Sequence, residues 1–286
     1  MNIVDDFLTW GGDLLFKFRP DFPFERPTSS IPASWYISPK QTFGELVVWN
    51  LFFWTLTYVI FMRCDFRRRL GLPKHGVRKV TYGDVFLGTQ VLASLLWVLY
   101  YKYLTNTVVY ILQPCHLVSI MLVYLFWCRD IAHGSLIFSM FTHMNVGTLL
   151  ALGFPDLTDY RRRGIYPAFS IFNFFVLHVL LAVAPLHFEW QESFPFKKGL
   201  FAVTMGFALL GILHWTILLP VSILVGNNIN YMMSPPKGPL LWFGDHYRSI
   251  QTFGTYLLLL LPGLLFPAMV DLAKRMSGKW RRQKSA

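Results

Sequence analysis

The chain has 286 residues, a formal net charge of +11 and a mean hydropathy of +0.44, with 54% of its residues hydrophobic and 14% charged. Those proportions exclude a water-soluble globular domain, because the apolar residues fall in runs too long for a soluble core element. The basic residues cluster between those runs, as in loops facing anionic lipid, and no zinc-finger spacing or basic–aromatic repeat supports nucleic-acid binding.

Residues 1–44 carry Pro20, Pro23, Pro27, Pro32 and Pro39. That density interrupts any long helix and predicts a loop-like cap with one short surface helix. Apolar windows follow at 46–62, 85–101, 107–127, 131–154, 168–188, 200–225 and 249–270, and none contains Asp, Glu, Lys or Arg. Each is near the roughly 20 residues with which an α-helix crosses hydrocarbon, and none alternates as a barrel strand does. The expected fold is an all-α polytopic membrane protein, a seven-helix transmembrane bundle. Its parts are a proline-rich cap at 1–44, a transmembrane domain at 45–272 and a basic tail at 273–286.

Orientation follows from the basic residues. Arg63, Arg67, Arg68, Arg69, Lys74, Arg78 and Lys79 follow the first window, and Lys274, Arg275, Lys279, Arg281, Arg282 and Lys284 follow the last. Both groups are expected to be cytosolic topology anchors, which places the amino terminus in the lumen. The Arg161–Arg163 run falls on the lumenal side in this topology and opposes it. Tyr101, Tyr103, Trp127, Trp190 and Trp242 sit near window ends, as interfacial aromatic belts do. The three cysteines, Cys64, Cys115 and Cys128, are too few and too scattered for a disulfide framework.

With no charge in the windows, the informative positions are thiol, imidazole and amide side chains. Cys115 lies in Gln113-Pro114-Cys115-His116 of the third window; His143 and Asn145 are in the fourth, Asn173 and His178 in the fifth, His214 in the sixth. Counted from the window edges, the thiol and the imidazoles of His143, His178 and His214 fall in one central slab, where polar groups must be satisfied inside the bundle or line a wet cavity. A Cys and a His on separate helices could act as a thiolate–imidazole pair that forms a thioester. Pro114 implies a local departure from straight helix, near which donors could face an oxyanion. Three other readings stand beside this one. The thiol can be a small hydrophobe, the imidazoles can be bundle contacts, or His143, His178 and His214 can bind a metal, although HxxxH and HxxHH clusters are absent.

Between the last two windows runs a polar stretch, Gly226-Asn227-Asn228-Ile229-Asn230, continuing through Ser234-Pro235-Pro236-Lys237-Gly238-Pro239 to Asp245-His246-Tyr247-Arg248. It reads either as a loop closing the bundle or as a lid on which the amides of Asn227, Asn228 and Asn230 and the Arg248 guanidinium meet phosphate.

The stretch Tyr103-Leu104-Thr105-Asn106-Thr107-Val108-Val109-Tyr110-Ile111-Leu112-Gln113-Pro114-Cys115-His116 resembles the transmembrane protein 164 family. The resemblance resumes at His143-Met144-Asn145-Val146-Gly147, at His178 and at Gly226–Pro235 with Gly238-Pro239 and Tyr247-Arg248, covering roughly residues 80–275. It implies a membrane acyltransferase that places polyunsaturated acyl chains on lyso ether phospholipids with phosphatidylcholine as donor, in endomembranes such as the endoplasmic reticulum, and so promotes ferroptosis. The family is distantly similar to androgen-induced fatty-acid-ester hydrolases. The resemblance gives Cys115 the role of acyl-accepting nucleophile and His178 that of general base. Gln113, His116, His143, Asn145, His214, Asn227, Asn228, Asn230 and Arg248 are the expected supporting or substrate-contacting residues. Gln113 stands where the family carries Asn, and Ser234 where it carries Cys. The expected partners are phospholipids, lysophospholipids and membrane lipid, with no cofactor and no metal. Water as acceptor would make the same site an esterase. A seven-helix transporter or receptor is the remaining alternative, weakened by the absence of charge within the windows.

Overall fold

The computed structural model describes residues 3–23, 34–157, 160–161, 166–236 and 238–276. Pro27, Pro32, Arg162, Arg163, Lys237 and the basic tail from 277 onward lie outside the described residues. In chain order the helices are α1 (Ile3–Phe18), α2 (Pro39–Tyr58), α3 (Phe66–Arg69), α4 (Tyr82–Leu104), α5 (Pro114–Trp127), α6 (Ile131–Met144), α7 (Val146–Gly153), α8 (Pro167–Gln191), α9 (Leu200–Ile212), α10 (Leu219–Val225) and α11 (Tyr247–Met276). Among the described residues five stretches are helical, long and apolar enough to cross a bilayer: Pro39–Arg63, Tyr82–Leu104, Ile131–Gly153, Pro167–Gln191 and Leu200–Val225. The helix Pro114–Trp127 is apolar but shorter. The chain is thus an all-α polytopic membrane protein.

Two compact units are present, one formed by Met1–Arg63 with Phe207–Tyr256 and the other by Cys64–Gly206 with Leu257–Ala286.

In the first unit, α1 ends before most of the prolines, which lets it extend to 16 residues, longer than the short surface helix expected. It lies close against α2, since a Cβ on Gly11 would come within 2.2 Å of the Phe43 ring. Ser38 caps α2 by accepting from the Gln41 amide at 3.2 Å, and Pro39 occupies its first turn, where the missing N–H costs nothing. The first spanning helix therefore starts at Pro39, inside the stretch read as cap. Between α9 and α10 the backbone widens into a π turn at Leu213–Leu218. The Leu219 amide reaches back to the His214 carbonyl, which strips the Trp215 carbonyl of its usual donor. The Asn50 amide fills that gap at 3.1 Å. Around this clamp Trp49 stacks on Trp215 with ring centroids 5.6 Å apart, and Phe53 meets Phe207 at 5.0 Å.

The second unit packs α4, α5, α6, α7 and α8 together. Lipid is as apolar as the helix faces, so association rests on close packing and polar bonds between helices. Gly88 allows the first, because a Cβ there would come within 2.8 Å of Phe126. Ser94 and Asn173 supply the second: the hydroxyl donates to the amide oxygen at 2.8 Å, and the amide returns to the Ser94 carbonyl at 3.2 Å. One end of the unit is pinned by buried charge. Thr81 and Asp84 form a capping box at the start of α4, and Asp84 also accepts from Arg78 and, at 2.9 Å, from His187 Nε2. Arg78 reaches on to Ser193 Oγ at 3.0 Å and to the Phe126 carbonyl at 3.1 Å.

Several expectations change here. Arg78 is buried rather than a solvated topology anchor. The helix α4 outruns its uncharged window at both ends and takes in buried Asp84 and Lys102. Tyr101 is buried, unlike the exposed Tyr103, Trp127 and Trp242. The third window is not one helix. A 3₁₀ turn at Val108–Leu112 is followed by extended backbone at Gln113, and Pro114 opens α5. The proline that was expected to kink a helix starts one instead, which is where its fixed φ and absent N–H fit best.

Candidate functional site

Cys115 is the second residue of α5, so its thiol belongs to a helix N-terminus and not to mid-helix. The Gln113 carbonyl accepts from the His116 amide at 3.0 Å and closes the first turn. Ser119 Oγ donates to the Cys115 carbonyl at 2.7 Å. Cys115 forms no disulfide, and the residue as a whole is partly exposed. Its position confers two properties: the amides of a first helical turn point toward it, and the positive end of the helix dipole favours negative charge there. Lys102 on α4 lies near both the Cys115 thiol and the His116 ring. The Lys102 ammonium lies 5.2 Å from the centre of the Tyr110 ring, which keeps it at this end of the unit.

The histidines around the thiol are held by one nitrogen each. His116 Nδ1 bonds the Tyr110 carbonyl at 3.0 Å, and His178 Nδ1 bonds the Phe174 carbonyl at 2.7 Å. A carbonyl only accepts, so Nδ1 carries the hydrogen and Nε2 keeps its lone pair. The His178 ring also lies on Phe174 with centroids 4.1 Å apart. The helix α8, which carries His178, packs on α5. No hydrogen bond joins Cys115 to His178 among the described residues. The structure therefore brings His116, His178, Lys102 and Cys115 to one region of the unit without a thiol–imidazole contact.

Asn145 and His143 have structural placements nearby. Asn145 is the joint between α6 and α7, where it donates to the Leu181 carbonyl at 2.8 Å and accepts from Thr148. His143 is fully buried; its Nδ1 bonds the Ser139 carbonyl at 2.8 Å, and its Nε2 has no partner among the described residues. No group of three or more His, Cys, Asp or Glu among the described residues is placed to hold a metal ion, which leaves the three-imidazole metal reading without a ligand set.

In the first unit the polar stretch after α10 folds back on itself. Gly226 closes the helix at φ 72°, a left-handed position that suits glycine. Arg19 lies against it, with Nη1 3.4 Å from the Leu224 carbonyl. The Asn227 amide donates to the Ser222 carbonyl at 3.2 Å. Asn228 is consumed internally: its Nδ2 donates to Ser234 Oγ at 2.7 Å, and its Oδ1 accepts from the Met233 amide at 2.8 Å. Asn230 adopts φ 50° and aims its Nδ2 at His214 Nε2, 2.6 Å away. Because His214 Nδ1 is taken by the Leu210 carbonyl, both ring nitrogens of this π-turn histidine are satisfied. Arg248 is buried, with Nη1 2.9 Å from Glu45 Oε2 and Nε 2.6 Å from the Met232 carbonyl.

A sequence pattern of the TMEM164 family matches residues 36–266. The chain belongs to the TMEM164 family. The match includes every candidate residue from Gln113 to Arg248 and begins at the entry to α2, farther toward the amino terminus than the motif stretch from residue 80. A transmembrane protein 164 homolog of Dictyostelium discoideum is 27% identical over 211 residues, which make up 71% of this chain and 74% of that protein. No solved structure matches the chain.

In this TMEM164-family sequence Lys102, Glu45, Asp84 and His187 carry no site signal, and Arg78 reads only as a topology anchor. Glu45, Asp84 and Lys102 each lie just outside an apolar window, where a charge reads as the end of a span. One local signal was available, since Thr81-x-x-Asp84 before an apolar run is a capping pattern.

Proposed function

We propose that the protein is an intramembrane acyltransferase that moves an acyl chain from a phospholipid to a lysophospholipid, ether lysophospholipids included, through a thioester on Cys115. The bundle then has seven spans, counting α5 and α11, with the amino terminus lumenal, and it resides in the endoplasmic reticulum or a related endomembrane. The observation that carries this reading is the placement of Cys115 in the first turn of α5, beside the Lys102 charge and in the same helix packing as His178.

In the first half-reaction the sulfur attacks the ester carbonyl of the donor, the thiol proton passes to His178 Nε2, and the tetrahedral oxyanion faces first-turn amides of α5. The ester C–O bond breaks, and the imidazolium returns its proton to the leaving lysolipid oxygen. In the second half-reaction Nε2 takes the proton of the acceptor hydroxyl, the new ester C–O bond forms as the thioester C–S bond breaks, and the imidazolium protonates the departing thiolate to regenerate the thiol. The His178–Phe174 bond supports this role by fixing the tautomer with its lone pair on Nε2. An unhydrated bundle interior favours the lipid hydroxyl over water as acceptor.

The test uses purified protein with phosphatidylcholine and labelled lysophospholipid. Intact mass spectrometry should detect an acyl adduct that hydroxylamine removes, and Cys115→Ala should abolish both the adduct and labelled diacyl product. Undiminished transfer by Cys115→Ala would sink the mechanism, and free fatty acid without labelled diacyl product would assign hydrolysis instead.

A further inference from the structure

The second unit gathers basic residues at one end, where three segments distant in sequence are tied together. Candidate spanning stretches begin there at Tyr82, Ile131 and Leu200, and another ends there at Gln191. This end of the unit therefore lies where the helices leave hydrocarbon. The segment after α3 pairs with the turn between α5 and α6: the Arg78 amide donates to the Arg129 carbonyl at 2.7 Å, and the Ile131 amide donates to the Gly76 carbonyl at 3.1 Å. The segment before α9 joins them, with the Lys197 amide 2.5 Å from the Leu70 carbonyl and the Arg69 guanidinium 5.5 Å from the centre of the Phe201 ring. Buried Arg78 fastens the three from below through Asp84, Ser193 and the Phe126 carbonyl.

Across residues 64–84, 128–131 and 189–199 nine Lys and Arg stand against five Asp and Glu. Four of those carboxylates are committed. Asp65 caps α3 and Asp130 caps α6, each by accepting from a backbone amide. Asp84 is buried against Arg78 and His187, and Glu189 holds Lys198 at 2.6 Å. Arg67, Arg68, Lys74, Lys79, Arg129 and Lys197 are exposed and have no carboxylate partner among the described residues. The result is a cationic surface on a hydrogen-bonded base, which attracts anions. Three large apolar side chains stand exposed among the charges: Val77 at 83%, Tyr82 at 97% and Leu200 at 64%. A soluble polyanion would leave them in water, whereas a bilayer interface buries them beside its phosphates.

We propose that this end of the second unit is a binding surface for the anionic phospholipid headgroups of the leaflet it faces. The charge run after the first span reads in the sequence as a topology anchor, which needs charge in one loop only. The structure adds Arg129 and Lys197 from two other loops and sets exposed apolar side chains among them. The assignment is independent of the Cys115 reaction, since it concerns lipid that stays bound rather than lipid that reacts.

The test equilibrates immobilised full-length protein with detergent micelles carrying equal parts of phosphatidylserine and phosphatidylcholine, and mass spectrometry quantifies the lipid retained. Wild type should retain phosphatidylserine over phosphatidylcholine by at least about fivefold, the effect of one such cation at an anionic surface. Arg67→Gln/Arg68→Gln/Lys79→Gln should bring the ratio close to one, while Lys17→Gln, which removes a cation from α1, leaves it unchanged. Should the triple variant fail to fold, wild type alone decides, because its preference has to fall steeply in about 0.5 M salt. No preference in wild type overturns the proposal, as does a ratio unmoved by salt or by the triple variant, or an equal loss in Lys17→Gln. So does displacement of the bound lipid by glycerophosphoserine, which carries the headgroup without an interface to bury Val77, Tyr82 and Leu200.

Discussion

Arg248 and Glu45, 203 positions apart in the chain, meet at 2.9 Å with the guanidinium 1% and the carboxylate 12% exposed. The pair joins the start of α11 to the first turns of α2, and Gln41 completes it by donating to the other Glu45 oxygen at 2.9 Å. Removing one member of such a pair leaves an uncompensated buried charge. Glu45→Ala should therefore cost about 3–5 kcal/mol, read as a large fall in thermal midpoint. The double variant Glu45→Leu/Arg248→Met should recover much of that loss. A fall for the double variant equal to the sum of both singles would contradict the pairing.

Arg78 spreads its guanidinium over Asp84, Ser193 and the Phe126 carbonyl. A lysine retains the charge but not the planar fork, so Arg78→Lys should lose nearly as much stability as Arg78→Met, about 3 kcal/mol or more. Amide exchange at the start of α4 should accelerate in both. Protection unchanged in Arg78→Lys would show that charge, not geometry, is what this end of the unit requires.

At Asn230 two effects separate by substitution. The residue sits at φ 50° and donates to His214. Asn230→Gly relieves the backbone and loses only the hydrogen bond, about 1 kcal/mol. Asn230→Ala loses the bond and adds left-handed strain of about 1–2 kcal/mol. Unfolding should therefore rank wild type above Gly and Gly above Ala; equal losses would remove the strain from the account.

Pro114 stands where a helix starts rather than where one bends. Pro114→Ala restores an N–H and lets the turn at Val108–Leu112 run into α5, carrying Cys115 from an open first turn into continuous helix. Stability should change by less than about 1 kcal/mol, while the hydroxylamine-sensitive acyl adduct on Cys115 should fall at least tenfold. Normal adduct formation would mean the helix start has no part in the chemistry.

Much of this architecture was readable in the sequence. The uncharged windows mark the spanning helices because a bilayer tolerates little else, and the family motifs marked Cys115 and His178. The windows were poorer guides to their own ends. A charge stops a window, yet Asp84 and Lys102 continue α4 because the packing surrounds them with Arg78, His187 and Tyr110. Hydropathy also could not see the break at Gln113, since both sides of it are equally apolar. A first-turn proline was the local sign of it. The Arg248–Glu45 pair was beyond reach, because nothing near either residue specifies a partner across the whole chain. Asn50 was passed over for a similar reason: its value depends on the π turn at Leu213–Leu218, a hydrogen-bond irregularity with no composition of its own.

The imidazoles of His116, His143, His178 and His214 all spend Nδ1 on a backbone carbonyl. Each neutral ring is thereby locked as a single tautomer whose only basic lobe is Nε2, pointed by the backbone rather than by neighbouring side chains. These four rings therefore aim Nε2 by backbone geometry that survives side-chain exchange around them, with His214 Nε2 already accepting from Asn230, and the nitrogen-15 signals assigned to these four neutral rings should show the Nδ1–H tautomer alone.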